Sequence, residues 1–323
     1  VSPLGLPQGV ANAIAAALPH ADRYPDPLCR ALRAKLAPHE GIPAESILCG
    51  NGAADLIFRL AWAAKPRTAL VTAPTFAEYA AALEGAGCAV RRHFLQAEVD
   101  FAVTDSILSS ITPEVDMVFL CQPNNPTGQL TPLPLVERIL RRCEACGALL
   151  VVDECFLDFL PDCDTLTAKA LLDSKNLLIL KAFTKLYGMA GVRLGYCLCA
   201  NTALLEAMQA AGQPWAVSSL AQAAGLAALD ETAYVAQVRA LIAQQRPRLT
   251  AGLRALGLRV LDGRANYLLF QGPETLGDAL RQWGVVLRSC SNYPGLDGSW
   301  YRTAVRTGPE NDELLKTLAE VLA

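Results

Sequence analysis

The sequence predicts an α/β protein: a large domain with a mainly parallel seven-stranded sheet, and a smaller α+β domain beside it. Three observations carry that prediction. Seven short apolar runs between Ile47 and Cys199 alternate with helical stretches, the pattern of βα units whose sheet is covered on both faces. After Ala200 the texture changes to long helical stretches followed by shorter strands. At 323 residues and 52% hydrophobic, the chain can bury a large core and divide in two. The expected boundaries are 21–205 for the large domain, with 1–20 and 206–323 making the small one.

In chain order, Pro7 stands near the start of an alanine-rich helix over Gln8–Leu18, and a proline-bounded turn, Asp22-Arg-Tyr-Pro-Asp-Pro27, leads to a helix over Leu28–Ala37. The predicted strands of the large sheet are Ile47–Cys49, Ala69–Thr72, Val90–Phe94, Met117–Cys121, Ala148–Val152, Leu177–Leu180 and Leu194–Cys199. Helices follow Gly52 up to Ala63, then span Phe76–Glu84 and Pro132–Cys143. In the second half, helices over Ala203–Ala211, Ser218–Leu229 and Ala233–Leu256 precede strands at Leu258–Leu261, Tyr267–Phe270, Val285–Leu287 and Tyr301–Val305, and a helix from Glu310 closes the chain.

Composition narrows the function. The net charge of -3, with no basic face or tail, argues against nucleic acid. No apolar run reaches the ~18 residues a membrane helix needs. Eleven scattered cysteines, mostly inside apolar runs such as Cys121, Cys197 and Cys199, suit a reducing cytoplasm. Cys143-Glu-Ala-Cys146 is a lone CxxC without a second pair at zinc spacing, and reads as helix packing. The three histidines, His20, His39 and His93, sit near no motif.

Chemistry gathers where strands end, the place where open α/β sheets bind ligands. The apolar run from Leu177 leads to Lys185, then a turn of small residues, then Arg193. A desolvated lysine loses basicity and becomes a nucleophile suited to Schiff-base chemistry, and an arginine fork suits a phosphate. Gly50-Asn51-Gly52-Ala53-Ala54 follows a strand and opens a helix, whose free N–H groups make an anion site. Asn125 lies in a proline-bounded turn after one strand, and Asp153 ends the next.

This order of motifs resembles the fold-type I pyridoxal-phosphate enzymes of the aspartate aminotransferase superfamily, over essentially the whole chain. The resemblance implies pyridoxal 5'-phosphate as cofactor, joined covalently to Lys185. It implies that Asp153 pairs with the pyridine nitrogen, Asn125 binds the ring oxygen and Phe76 stacks on the ring. Gly52, Ala53 and Ala54 would offer N–H groups to the cofactor phosphate, helped by Thr184 and Arg193. Tyr24 would reach the phosphate of a partner subunit, which implies a homodimer. Two positions depart from the superfamily pattern: Ala182 stands where a Ser or Thr phosphate ligand is usual, and Phe156 where many members have a Tyr donating to the ring oxygen.

Within the superfamily the sequence is most similar to two groups, histidinol-phosphate aminotransferases and the threonine-phosphate decarboxylases of cobalamin synthesis. Phe156 and several stretches match the decarboxylase pattern, above all Arg288-Ser-Cys-Ser-Asn-Tyr-Pro-Gly-Leu-Asp297 followed by Trp300-Tyr301-Arg302. The resemblance then implies a small phosphorylated amino acid as substrate, with Arg302 on its carboxylate and Arg288 on its phosphate. Asn125 also belongs to this implied substrate site. The rival readings are an aminotransferase and a non-catalytic regulator on the same fold. Relatives carry an N-terminal arm, and Val1–Gly5 matches a point inside the family's opening, so the arm is expected to be absent or outside the numbering.

Overall fold

The computed structural model describes residues 1–323. Its main sheet has seven strands: β1 (Ile47–Gly50), β2 (Thr68–Ala73), β3 (Ala89–Phe94), β4 (Met117–Cys121), β5 (Leu149–Asp153), β6 (Leu177–Ala182) and β7 (Gly195–Cys199). Their spatial order is β1-β7-β6-β5-β4-β2-β3. Strands β4, β5 and β6 are buried almost throughout, as unbroken Val/Leu/Ile runs at the centre of a covered parallel sheet should be. Alternate residues feed two apolar clusters. Val118, Leu120, Leu150 and Val152 join one, and Phe119, Cys121 and Val151 the other.

All pairs from β3 to β6 are parallel, whereas β7 runs antiparallel to both β6 and β1. The physical reason is the link 183–194. It holds only the one-turn helix Phe183–Leu186, too little for a crossover connection, so the chain doubles back. This reversal has a chemical consequence. The start of β7 falls on the edge where β1, β4, β5 and β6 end, and Arg193 arrives beside Gly52, Asn125, Asp153 and Lys185.

The helices follow from spacing and stop signals. Leu133–Cys146 buries Leu135, Val136, Ile139, Leu140 and Cys143, one stripe at helical period, and ends at Gly147 with φ 72°. Cys143 of the CxxC packs in that stripe. The C-terminal helix Gly308–Leu322 starts with a capping box formed by Thr307 and Glu310.

A second, antiparallel sheet orders its strands β10-β11-β9-β8: β8 (Arg259–Val260), β9 (Tyr267–Gln271), β10 (Arg288–Ser289) and β11 (Trp300–Ala304). The 24-residue helix Thr232–Ala255 precedes it. The expected strand over Val285–Leu287 does not form: pairing begins at Arg288, and Val286 is 75% exposed. A run of three apolar residues signals a strand only if a partner edge meets it, and Trp300–Ala304 reaches only as far as Arg288 and Ser289. The helix Leu276–Gln282 has no counterpart among the expected elements.

A second correction concerns Lys185, which the sequence places at the end of a buried strand. The strand ends at Ala182, and the lysine inside it is Lys181, 3% exposed. Lys185 rides on the one-turn helix beyond. The N-terminal segment braces that helix: Ser2 N–H donates to the Lys185 carbonyl at 2.8 Å, and the Tyr234 hydroxyl donates to Ser2 Oγ at 2.7 Å.

Candidate active site

A cavity of about 280 Å³ opens at the carboxyl edge of the main sheet. Eight of the residues expected at a cofactor site line it: Ala53, Ala54, Phe76, Asn125, Asp153, Thr184, Lys185 and Arg193. Ala182 and Phe156, the two departures, line it too, together with Glu78, Cys121 and Cys155.

One end of the cavity is built for an anion. The helix Ala53–Ala64 begins there with no side chain capping its first N–H groups, so they and the helix dipole face the cavity. Gly52 has φ +82°, and a β-carbon at that position would lie 2.9 Å from the Arg193 Nη2 atom. Glycine therefore serves both the left-handed turn and the close approach of the guanidinium. Asp55 Oδ2 accepts from the Asn51 N–H at 2.8 Å and fixes the turn from behind. Thr184 is buried beside Ala182, whose methyl brings no hydroxyl to this end.

The other end holds a buried carboxylate. Asp153 is 5% exposed and accepts hydrogen bonds from the Tyr79 hydroxyl at 2.5 Å and from the Cys155 N–H at 3.0 Å. No lysine or arginine pairs with it. A buried carboxylate without a counter-ion is costly, and it creates a place for a cationic group of a ligand. Around it the protonated, neutral forms dominate. Burial, and then the Asp153 charge, push the Cys121 thiol up to about 12, and push Tyr79 and Cys155 well above their ordinary ranges.

The side walls are aromatic. Phe76 is half-buried and meets Tyr79 edge-on at 5.5 Å. Lys185 Nζ stands 5.2 Å from the centroid of Phe156, whose ring packs edge-on against Tyr267 at 5.1 Å. Asn125 is held in a loop that its neighbour Asn124 pins, bonding Pro74 O at 2.9 Å and Thr75 Oγ1 at 2.8 Å. The Asn125 side-chain oxygen accepts from Arg302 of β11, which joins the second sheet to the cavity. Arg302 also lies over the Tyr267 ring at 5.2 Å.

Arg288 and Arg302 are directly opposite one another on β10 and β11. Like charges in that relation repel, and neither has a carboxylate partner. Arg288 bonds only Asn292 Oδ1 at 3.2 Å. Arg306, by contrast, is paired with Glu310. Tyr24 does not reach the cavity of its own chain; it is 80% exposed and stacks on Trp215 at 4.5 Å.

The sequence reading missed Tyr79 and Lys181. Tyr79 had a signal, since it lies three residues after Phe76 in a helical stretch and so shares its side. Lys181 reaches a second cavity, of about 340 Å³, behind β6. Its ammonium pairs with Asp158 at 2.7 Å and lies 3.7 Å from Glu154, while Lys169 pairs with Glu40 at 2.8 Å. These charges are spent on one another. The larger space is therefore the poorer candidate for chemistry.

The donor set of the first cavity fits pyridoxal 5'-phosphate. It offers an amine for the aldehyde, an unpaired buried carboxylate for a protonated ring nitrogen, and an uncapped helix start with an arginine for the phosphate.

Known proteins agree with that fit. The family model for "Aminotransferase class I and II" matches residues 4–319. A threonine-phosphate decarboxylase from Salmonella typhimurium is 39% identical, covering 100% of this chain and 89% of the relative. A histidinol-phosphate aminotransferase from Desulfitobacterium hafniense is 34% identical over 99% of this chain and 90% of its own. Among solved structures, the histidinol-phosphate aminotransferase from Clostridium acetobutylicum superposes with a TM-score of 0.93 at 27% identity, covering 100% of this chain and 97% of that one. The Sinorhizobium meliloti enzyme of the same name, in complex with pyridoxal-5'-phosphate, gives 0.88 at 25% identity, with 99% and 88% covered.

Proposed function

Since the chain belongs to the class I and II aminotransferase family and its cofactor is pyridoxal 5'-phosphate, we propose that it decarboxylates L-threonine O-3-phosphate. The products are carbon dioxide and (R)-1-aminopropan-2-yl phosphate, a building block of cobalamin. The observation that carries this reading is the pair Arg288 and Arg302, two arginines without carboxylate partners at facing positions of β10 and β11, with Arg302 bonded to Asn125 of the cavity wall. Repulsion between them is relieved by a ligand with two anionic groups, and arginine binds both carboxylate and phosphate bidentately. The full-length likeness to the Salmonella typhimurium decarboxylase supports the same choice.

The residues divide the work by position. Lys185 would hold the cofactor aldehyde, Asp153 the ring nitrogen, and Gly52, Ala53, Ala54, Thr184 and Arg193 the cofactor phosphate. Phe76 would pack on the ring and Asn125 would bond its oxygen, while Asn125 also positions Arg302. When bound, the cofactor supplies an electron sink for the pair left by the broken bond between Cα and the carboxylate carbon. Arg302 and Arg288 fix the two anionic ends of the substrate and so decide which bond at Cα is aligned with that sink. Lys185, close to Phe156, is the group that returns a proton to Cα. Exposed Tyr24 serves the phosphate site of a second copy in a homodimer.

The assay is incubation with threonine phosphate, with and without 2-oxoglutarate, alongside Lys185→Ala. Carbon dioxide released without a keto acid, and abolished in the variant, is the expected result. Glutamate formed from added 2-oxoglutarate without carbon dioxide identifies an aminotransferase and rejects the proposal.

A further inference from the structure

Tyr79 has no role in the reading above, yet it makes the closest contact to Asp153. Its hydroxyl donates to Asp153 Oδ2 at 2.5 Å. The side chain is fully buried on the helix Glu78–Gly85. Its ring is fixed by Phe119, stacked at 4.7 Å, and by Phe76 edge-on at 5.5 Å. A buried tyrosine spends its only proton on one acceptor, and here that acceptor is a carboxylate with no cationic partner.

The other groups near Asp153 cannot replace it. The Cys155 N–H occupies Oδ1 at 3.0 Å. The Cys121 and Cys155 thiols carry protons, and the Cys121 thiol is directed to the Pro123 carbonyl at 3.4 Å. Lys185 is the nearby cation, and it is committed to the cofactor aldehyde.

We propose that Tyr79 is a positioning residue that keeps the proton between Asp153 and the cofactor's pyridine nitrogen on the nitrogen. The inference rests on Asp153 facing that nitrogen, as proposed above. The proton has two places: on nitrogen, leaving a carboxylate and a pyridinium, or on the carboxylate oxygen, leaving two neutral groups. A hydrogen bond donated to the carboxylate stabilises its charged form and lowers its proton affinity. The equilibrium then lies with the pyridinium, the better electron acceptor. Without the hydroxyl the charged carboxylate loses that stabilisation, and the proton shifts toward its oxygen. The ring then withdraws fewer electrons from its bond to Lys185, and the nitrogen of that bond becomes more basic.

The test uses holoenzyme loaded with cofactor labelled with ¹⁵N in the ring. In Tyr79→Phe the ring-nitrogen resonance should move toward that of unprotonated pyridine. The midpoint of the cofactor's visible absorbance titration should rise by about one unit, the scale of one hydrogen bond's effect on a pKa. A folded variant with both readouts unchanged overturns the inference. Asp153→Asn separates the two layers. If it leaves the ¹⁵N resonance in place, Asp153 does not face the ring and the underlying reading fails. If it moves the resonance and Tyr79→Phe does not, only the role of Tyr79 fails. Should Tyr79→Phe not fold, 3-fluorotyrosine at position 79 alone keeps the hydroxyl and strengthens it as a donor. The absorbance midpoint must then fall, and a rise or no change overturns the proposal.

Discussion

Two charged regions lie on either side of the ends of β5 and β6, and they are built on opposite rules. Behind β6, the buried Lys181, Glu154 and Glu40 and the half-buried Asp158 and Lys169 form a network in which every charge has a partner. Glu154 is satisfied further by the Thr167 hydroxyl and the Ala168 N–H, both at 2.7 Å. In front, Asp153, Lys185, Arg288 and Arg302 have no ion-pair partner. The residues are neighbours in sequence: Asp153 beside Glu154, Lys181 four residues before Lys185. Pairing, rather than burial or charge, is what separates a structural cluster from a site that waits for a ligand.

Removing one member of the rear network should have the largest effect. Lys181→Met leaves the buried Glu154 and the half-buried Asp158 without a cation, at an expected cost of roughly 3–5 kcal/mol. Denaturant unfolding checks this. The cofactor absorbance of the folded fraction should be unchanged, because Lys181 faces away from the cavity. A stable Lys181→Met protein would show that the network is not structural.

The front region should respond in the other sense. Arg302→Ala should change stability little, since relief of repulsion from Arg288 offsets the hydrogen bond lost to Asn125. It should lower kcat/KM for threonine phosphate by roughly 10- to 100-fold, the scale of one charge-assisted bidentate contact. Steady-state kinetics beside a melting curve gives both numbers, and a loss of stability with unchanged kcat/KM would place Arg302 among the structural charges.

The smallest effect sharpens the comparison at the surface. Arg306 and then the Thr307 hydroxyl hold the Glu310 carboxyl down to about 2, against an ordinary value of 4.5. A depressed carboxylate pKa stabilises the fold above the unfolded value and loses that contribution as pH falls toward the folded one. Glu310→Ala should therefore cost about 1 kcal/mol at pH 7, the worth of a capping interaction. The difference from the wild type should shrink between about pH 4.5 and pH 2. Thermal melts across that range read it directly.

Much of the front region is legible in the chain itself. Asp153, Asn125, Lys185 and the Gly50–Gly52 turn each follow an apolar run, and the ends of such runs in a parallel sheet share one edge. Phe76 and Arg193 are legible by their distance from those marks. Tyr79 is half-legible, through its spacing from Phe76, but its acceptor lies 74 positions away. The Val285–Leu287 strand failed for a related reason: local hydrophobicity does not say where a partner edge stops.

What the sequence determined alone was local: the periods of strands and helices, their caps, and which side chains leave a strand end. These depend on backbone geometry over one or two turns of chain. Tertiary structure alone decided that β7 runs backward and delivers Arg193 to the common edge. It also set Arg288 opposite Arg302, and gave Lys181 its acid partners while leaving Asp153 without a cation. Charge pairing depends on which distant segments share a few ångströms, and that is set by the packing of the whole chain.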